Sequence, residues 1–501
     1  MNIKISFHGA AQSVTGSQFL LQAEGKKILV DCGLAQGKRK DAYEQNRKFR
    51  FPDNDDSHSP IKPADIDAVV LTHAHIDHSG NLPNLAKQGF NGKIHATKPT
   101  VELCNYMLRD SAHVQDSDLR ITNKIRAKQN KNLFTPLYSS EDVENMLGLF
   151  VSHEYGETYT LADNLRFRFR DAGHILGSAG VLFEIGEGDN PVRFGFSGDI
   201  GRENIPLIHD PDILRDLDFL VMETTYGNRK HSLKFSDAES ALAEIITNAV
   251  NRRQDGTILI PAFSVGRMQL LIYILHKLRD RGLIRDIPVF VDSPLGLHAT
   301  EIFQKHLSIL DREVHRFYID NGIDPFTFSG LHYIKSLEAS RAIKGNGVLP
   351  RIIISSSGML EGGRILNHLI DHVSDQRTTI LFVGYGAQNT LARQITDGAK
   401  EIKIYGETYE VNCKVEKTDS FSAHADRPGL ENYLSFSSPR DMKKLFLVHG
   451  EKSAAEDFLD FAKEKGYKNA CIPLLDEEYS FDLEINKYSG KYEVVGRDVK
   501  H

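Results

Sequence analysis

Short apolar runs punctuate this chain, and most of them stop on a polar or small residue. The runs at 27–31, 69–72, 192–199, 217–223, 257–261, 287–292, 351–355, 379–384 and 444–449 are rich in Val, Ile, Leu and Phe. Each is too short for a helix and predicts a buried strand. Apolar residues at helical spacing fill 237–253 and 266–281 between them. Strand, loop and helix in alternation, with chemistry-bearing residues at strand ends, predict an α/β fold. The polar segment 36–60 predicts a long loop.

The strand ends carry metal-type side chains. His73, His75, Asp77 and His78 fall within six positions, directly after an apolar run. In an extended segment His73 and His75 face the same way. Asp77 and His78 follow where the chain turns, so they can face a second metal. The donors are imidazole nitrogen and carboxylate oxygen, without thiolate. That set suits zinc and is compatible with manganese or iron. It is too many ligands for a single zinc and about right for half of a pair. Asp31 ends the earlier apolar run at 27–31, and His174, Asp199, His424 and His449 stand farther along as polar residues at or near the ends of apolar runs.

Composition adds bounds. At 501 residues, with 40% hydrophobic and 26% charged residues, the chain suits two or three globular domains. The N-terminus has no basic region followed by an apolar stretch, and no apolar run approaches about 18 residues, so neither a signal peptide nor a membrane partner is expected. Cys32, Cys104, Cys413 and Cys471 form no CxxC and suggest buried thiols in a reducing cytoplasm. The net charge of −7 argues against nucleic acid, but its distribution does not. Residues 228–400 carry 21 basic and 17 acidic side chains, and the remainder carries 40 and 51. Residues 120–131 hold five basic residues and no acid, a solvated helix face or a phosphate-contacting surface. The span 257–394 repeats strand, Ser/Gly-rich loop and helix without metal-type spacing. It reads as a domain inserted into a metal-binding one, with boundaries near 227 and 401.

With this set of residues the chain resembles the metallo-β-lactamase fold superfamily. Within it the chain is similar to the β-CASP nucleases, the family of RNase J and of the nuclease subunit of the pre-mRNA cleavage and polyadenylation factor. Asp31 matches the first family motif, the HxHxDH run the second, His174 the third and Asp199 the fourth. Glu223 matches the motif that opens the β-CASP segment, and His424 and His449 match the two after it. The resemblance covers essentially the whole chain. It implies a metallo-β-lactamase αββα sandwich with an inserted α/β β-CASP domain, divided as 1–227, 228–400 and 401–501.

The resemblance also implies roles. His73, His75 and His174 hold one Zn²⁺, Asp77, His78 and His449 the other, and Asp199 bridges them. Asp31 orients a ligand histidine. Two divalent ions, less two carboxylates and a bridging hydroxide nucleophile, leave a small positive charge matched to one phosphodiester. His424 is the general acid, with Glu223 holding its proton. Three loops are expected to contact phosphate: Arg267 in one, Ser357, Gly358 and Arg364 in another, and Arg393 in a third. The third departs from the family, with Asn389 and Ala392 where glycines are expected.

The expectation is a zinc-dependent ribonuclease acting on single-stranded RNA, and a homodimer is compatible with it. His449 favours RNA over DNA by family pattern. No RNase J-like C-terminal extension or N-terminal KH-type domain is seen, which favours endonucleolytic cleavage. The alternatives are a small-molecule metallo-hydrolase of thioesterase or lactonase type, supported by the acidic total charge, and a non-catalytic RNA-binding scaffold, disfavoured by the full ligand set.

Overall fold

The structure is a computed structural model that describes all residues except 37–38, 48, 50, 52–59, 253, 346–349, 385–389, 488 and 501. The chain forms two compact units. One comprises 1–203, 210–230 and 424–501, the other 204–209 and 231–423. Among the described residues no helix is long and apolar enough to cross a membrane.

The first unit is built on two sheets. One has eight strands, among them Asn2–Phe7, Phe19–Ala23, Lys26–Val30, Ala68–Val70, Lys93–Thr97 and Phe150–His153. The other has seven, among them Leu165–Asp171, Ala179–Ile185, Val192–Phe196, Phe219–Glu223 and Lys444–Val448. Their facing sides share one core, where Phe7, Phe19 and Val30 meet Phe167, Phe183 and Phe194. The two-residue period of a strand sorts the side chains. Phe219 and Val221 enter this inter-sheet core, and Leu220 and Met222 enter a second core with Leu430, Leu434 and Phe458. Phe446 and Val448 repeat the first choice, Leu445 and Leu447 the second. Burial on both faces explains why these runs read as unbroken apolar sequence. Helices Arg427–Ser435 and Lys452–Glu464 supply the outer core on one side. Helix Lys98–Lys128 packs on Lys93–Thr97 and Phe150–His153 on the other. The layers are those of the expected αββα sandwich.

Register then aligns the strand ends. Val30 pairs with Val70, Phe196 with Val221 and Glu223 with Val448, all in parallel ladders. Parallel neighbours end on the same side, so the loops beginning at Asp31, Leu71, Ser197, Thr224 and His449 leave together.

The second unit holds a six-stranded sheet, in the order Leu331–Tyr333, Val289–Asp292, Arg351–Ser355, Thr257–Pro261, Thr379–Phe382 and Lys414–Lys417. Its pairings are parallel. The helices expected at 237–253 and 266–281 are Phe235–Arg252 and Arg267–Asp280. Residues 401–423 fall in this unit, beyond the boundary read from the sequence, because Lys414–Lys417 pairs with Thr379–Phe382.

The loop expected over 36–60 needs correction. Arg39–Arg47 is a helix. It has no apolar stripe to betray it, and polar bonds hold it instead. The Asn46 side chain accepts from the Ala35 N–H at 2.8 Å and donates to the Ala35 carbonyl at 2.9 Å. The amides of Asn81 and Asn84 donate to the Asn46 carbonyl at 3.2 and 2.8 Å. Residues 52–59 of that segment lie outside the described residues.

Candidate metal centre

The HxHxDH segment leaves strand Ala68–Val70, runs without regular structure through His75, and closes into one helical turn, Ile76–Ser79. Two ligand groups result. In one, His73 Nε2 lies 3.1 Å from His75 Nδ1, and His174 Nε2 lies 3.3 Å from the same atom. In the other, His449 Nε2 lies 3.2 Å from His78 Nε2 and 3.6 Å from Asp77 Oδ2. Asp199 faces both. Its Oδ2 is 3.5 Å from His73 Nε2 and 3.6 Å from His174 Nε2. Its Oδ1 is 3.3 Å from His78 Nε2 and 3.6 Å from His449 Nδ1. Within His73, His75, His174 and Asp199, and again within Asp77, His78 and His449, one ligand atom per residue lies within 4.8 Å of the others.

Electrostatics tests whether these groups suit a cation. Burial holds His73, His75 and His174 below the usual imidazole range, and neighbouring imidazoles add to the effect. Neutral imidazole is the form that binds a metal. Burial would raise the Asp199 carboxyl, but His449, His78 and His73 hold it well below its ordinary value. Burial also opposes charge on His78, yet Asp199 and Asp31 outweigh it and raise that imidazole. Asp199 Oδ1 is buried and makes no hydrogen bond. An ionised carboxylate oxygen without a donor is costly in the interior, and converging ring nitrogens need something between them. A divalent metal ion meets both requirements, so the donor set fits.

Supporting residues set the ring orientations. Asp31 Oδ2 lies 2.7 Å from His78 Nδ1, and the carboxylate accepts the Thr72 N–H at 2.8 Å and the Thr72 hydroxyl at 2.9 Å. His78 therefore turns Nε2 toward Asp199 and His449. Thr225 Oγ1 stands 3.1 Å from His449 Nδ1 in the same manner. Sequence reasoning passed over Thr72 and Thr225. The available signal was only that each lies within two positions of a motif residue. Gly33 is required by close approach, since a Cβ there would lie 1.6 Å from the Asp77 carbonyl oxygen. Asp31→Ala is expected to weaken metal affinity by about 10- to 100-fold with the fold intact. Metal titration against a competing chelator measures it, and unchanged affinity would remove the orienting role.

Glu223 and His424 sit beside this centre. Glu223 Oε1 accepts the Ile200 N–H at 2.6 Å and lies 3.1 Å from His424 Nδ1. Its Oε2 accepts the Thr225 N–H at 3.2 Å. Asp199, Glu223 and His424 also come within ligand distance of one another. Glu223 already accepts from two backbone N–H groups and faces the His424 ring, and its role here is to hold that ring. Burial lowers the His424 imidazole, but Glu223 outweighs it and raises the ring to about 8. The side chain of His424 is 20% exposed, against 5% or less for His73, His78, His174, Asp199 and His449. It therefore stands on the accessible side of the centre.

The loops expected to contact phosphate lie in the second unit. Ser357 Oγ accepts the Glu361 N–H at 3.1 Å, and Gly358 packs against Phe263. Arg267 donates to the Val383 carbonyl at 3.0 Å. Arg393 pairs with Asp397 at 2.8 Å, one helical turn away. Arg364 does not have the place expected of a phosphate clamp. It pairs with buried Asp292 at 2.7 Å and donates to the Ile334 and Lys335 carbonyls. A charge held by a buried carboxylate is not available to a ligand without breaking that pair. Residues 385–389, with Asn389 of the third loop, lie outside the described residues. Ala392 lies in helix Leu391–Thr396, where no left-handed backbone is needed.

Sandwich and centre together define a metallo-hydrolase. Residues 13–211 match the metallo-beta-lactamase superfamily, 268–395 the Beta-Casp domain, and 408–473 the Zn-dependent metallo-hydrolase RNA specificity domain. The chain therefore belongs to the β-CASP family of metal-dependent ribonucleases within the metallo-β-lactamase superfamily. It is 34% identical to Ribonuclease TTHA0252 of Thermus thermophilus, over 89% of this chain and 92% of that protein. It is 32% identical to Transcription termination factor FttA of Methanosarcina mazei, over 92% of this chain and 69% of that one. The FttA of Pyrococcus abyssi is 33% identical over 91% and 68%. A solved structure of a protein of unknown function from Enterococcus faecalis V583 shares the fold, with a TM-score of 0.52 at 11% identity, covering 95% of this chain and 99% of that one.

Proposed function

We propose that the chain hydrolyses phosphodiester bonds within single-stranded RNA, as an endonuclease working with two zinc ions. The observation that carries this reading is Asp199, whose two oxygens face two separate histidine groups, with His424 Nε2 4.0 Å from Oδ2. His73, His75 and His174 would hold one ion, and Asp77, His78 and His449 the other, with Asp199 reaching both. When bound, such a pair supplies Lewis acidity and an activated water at neutral pH.

The chain's own residues supply the rest. His424 donates a proton to the departing oxygen, and Glu223 fixes its ring through Nδ1 so that Nε2 carries that proton. Asp31 and Thr225 orient ligand rings. Ser357, Gly358, Arg267 and Arg393 are substrate contacts in this reading. Relatives named as a ribonuclease and as transcription termination factors support RNA as the substrate class. The free cysteines, three of them buried, support a reducing, cytoplasmic setting.

Circular RNA, and linear RNA bearing a 5′-monophosphate, test the reading with and without a chelator. The circle is expected to be opened, the chelator to stop cleavage and zinc to restore it. An intact circle beside a mononucleotide ladder from the linear RNA overturns the endonuclease mode. No cleavage of either overturns the substrate.

A further inference from the structure

The far end of helix Lys98–Lys128 carries chemistry that the metal centre does not use. Arg120, Lys124 and Lys128 recur at four-residue spacing, so they line one helix face. All three are exposed, and Lys131 continues the row beyond the helix. No acidic residue stands between Asp118 and Glu141. The helix dipole accounts for cations in the last turn, Arg126 and Lys128, but not for Arg120, Lys124 or Lys131. Arg120 pairs with Asp116 at 2.7 Å in an exposed pair. Lys124, Arg126, Lys128 and Lys131, with Arg47 of helix Arg39–Arg47, have no carboxylate partner among the described residues.

Beside the cations lies a cluster of two rings and two guanidiniums. The Arg47 guanidinium sits 4.2 Å from the Tyr43 ring centroid, the Tyr43 ring 4.6 Å from that of Phe134, and the Arg126 guanidinium 4.0 Å from Phe134. Hydrogen bonds hold the cluster in place. The Asn123 side chain donates to the Phe134 carbonyl at 2.8 Å and accepts the Phe134 N–H at 2.9 Å. Arg126 Nε donates to the Asn132 carbonyl at 2.6 Å, and Arg47 to the Thr135 carbonyl at 2.7 Å. Neighbouring Leu133 is 59% exposed. The two rings back the guanidinium planes of Arg47 and Arg126, and guanidinium planes beside cations without carboxylate partners are what a single strand uses, bases on the planes and phosphates on the charges.

The other end of the helix is tied to the metal centre. The hydroxyls of Thr97 and Thr100 donate to the Gly177 carbonyl, in the loop that carries His174, at 2.6 and 2.8 Å. At about 1.5 Å of rise per residue, Asn123 lies ~35 Å farther along the helix. At about 3.4 Å per stacked nucleotide that distance is on the order of ten nucleotides.

We propose that the Arg47–Tyr43–Phe134–Arg126 cluster and the adjoining row Arg120, Lys124, Lys128 and Lys131 form a second contact for single-stranded RNA, remote from the metal centre. It rests on the RNA reading of that centre and adds length selection to it. The test is a Lys124→Glu, Lys128→Glu, Lys131→Glu variant of the full chain. Its positions are exposed and outside the catalytic machinery. Cleavage is measured on single-stranded RNAs of about four and about thirty nucleotides at several salt concentrations. For the long RNA, KM is expected to rise by roughly 10-fold with kcat unchanged, and the salt slope to fall by about 2, at ~0.7 per lost phosphate contact. The short RNA is expected to behave as with the wild type. An unchanged KM and salt slope for the long RNA overturns the proposal and leaves the cations to an acidic protein surface. An equal loss on both lengths also overturns it, since the charges would then act on the centre itself. If the unaltered chain cuts neither RNA, the reading of the metal centre fails instead.

Discussion

Asp199→Ala is expected to remove both the bound metal and the cleavage of RNA while leaving the chain folded. Asp199 approaches His73, His174, His78 and His449 within 3.3 to 3.6 Å, so a single truncation strips a ligand from both histidine groups. It also removes the anion that raises His78 and His449, which burial alone would lower. Metal ions contribute several kcal/mol to a transition state of this kind, and about 1.4 kcal/mol is a factor of ten, so the rate should fall ~10³-fold or more. The fold should survive, because the inter-sheet core of Phe7, Phe167, Phe183 and Phe194 is separate from the centre. Elemental analysis gives the metal content, circular dichroism the fold and a labelled oligonucleotide the rate. A variant with full metal content and wild-type cleavage would falsify the assignment of Asp199.

His424→Ala is expected to separate the proton from the metals. His424 is absent from the groups His73, His75, His174, Asp199 and Asp77, His78, His449, so metal content should be unchanged. General acid catalysis is typically worth about 10²–10⁴ in rate, and that is the expected loss on ordinary RNA. A substrate whose scissile leaving atom is sulfur needs little proton donation. On that substrate variant and wild type should cut at similar rates. An equal loss on both substrates removes the role of proton donor and leaves His424 a positioning residue. Glu223→Gln should share the defect in milder form, since Glu223 raises the His424 imidazole through the 3.1 Å contact.

Much of this centre was legible in the sequence because its chemistry is concentrated at strand ends. HxHxDH is a local motif, and the turn Ile76–Ser79 that separates its two halves follows within a few residues. His174, Asp199, His424 and His449 were visible as ligand-type residues, but nothing local said which of them meet. Parallel strands owe their pairing to distant segments, so Glu223 and Val448 become neighbours only in the assembled sheet. Arg364 shows the converse. Its loop composition pointed to a phosphate, but its partner Asp292 lies 72 positions away, and only packing discloses that the charge is already held.

By itself the sequence determined the donor types, the alternation of strand and helix, and the continuous apolar runs that a doubly covered sheet requires. These are properties of residue type and spacing within a few positions. Tertiary structure decided which imidazoles face which carboxylate oxygen, with His78 and His449 meeting across 371 positions. It also decided that the polar segment Arg39–Arg47 is a helix, and that its Tyr43 packs against Phe134. Those outcomes depend on hydrogen bonds and ring contacts between distant segments, and such contacts leave no periodicity in the chain that makes them.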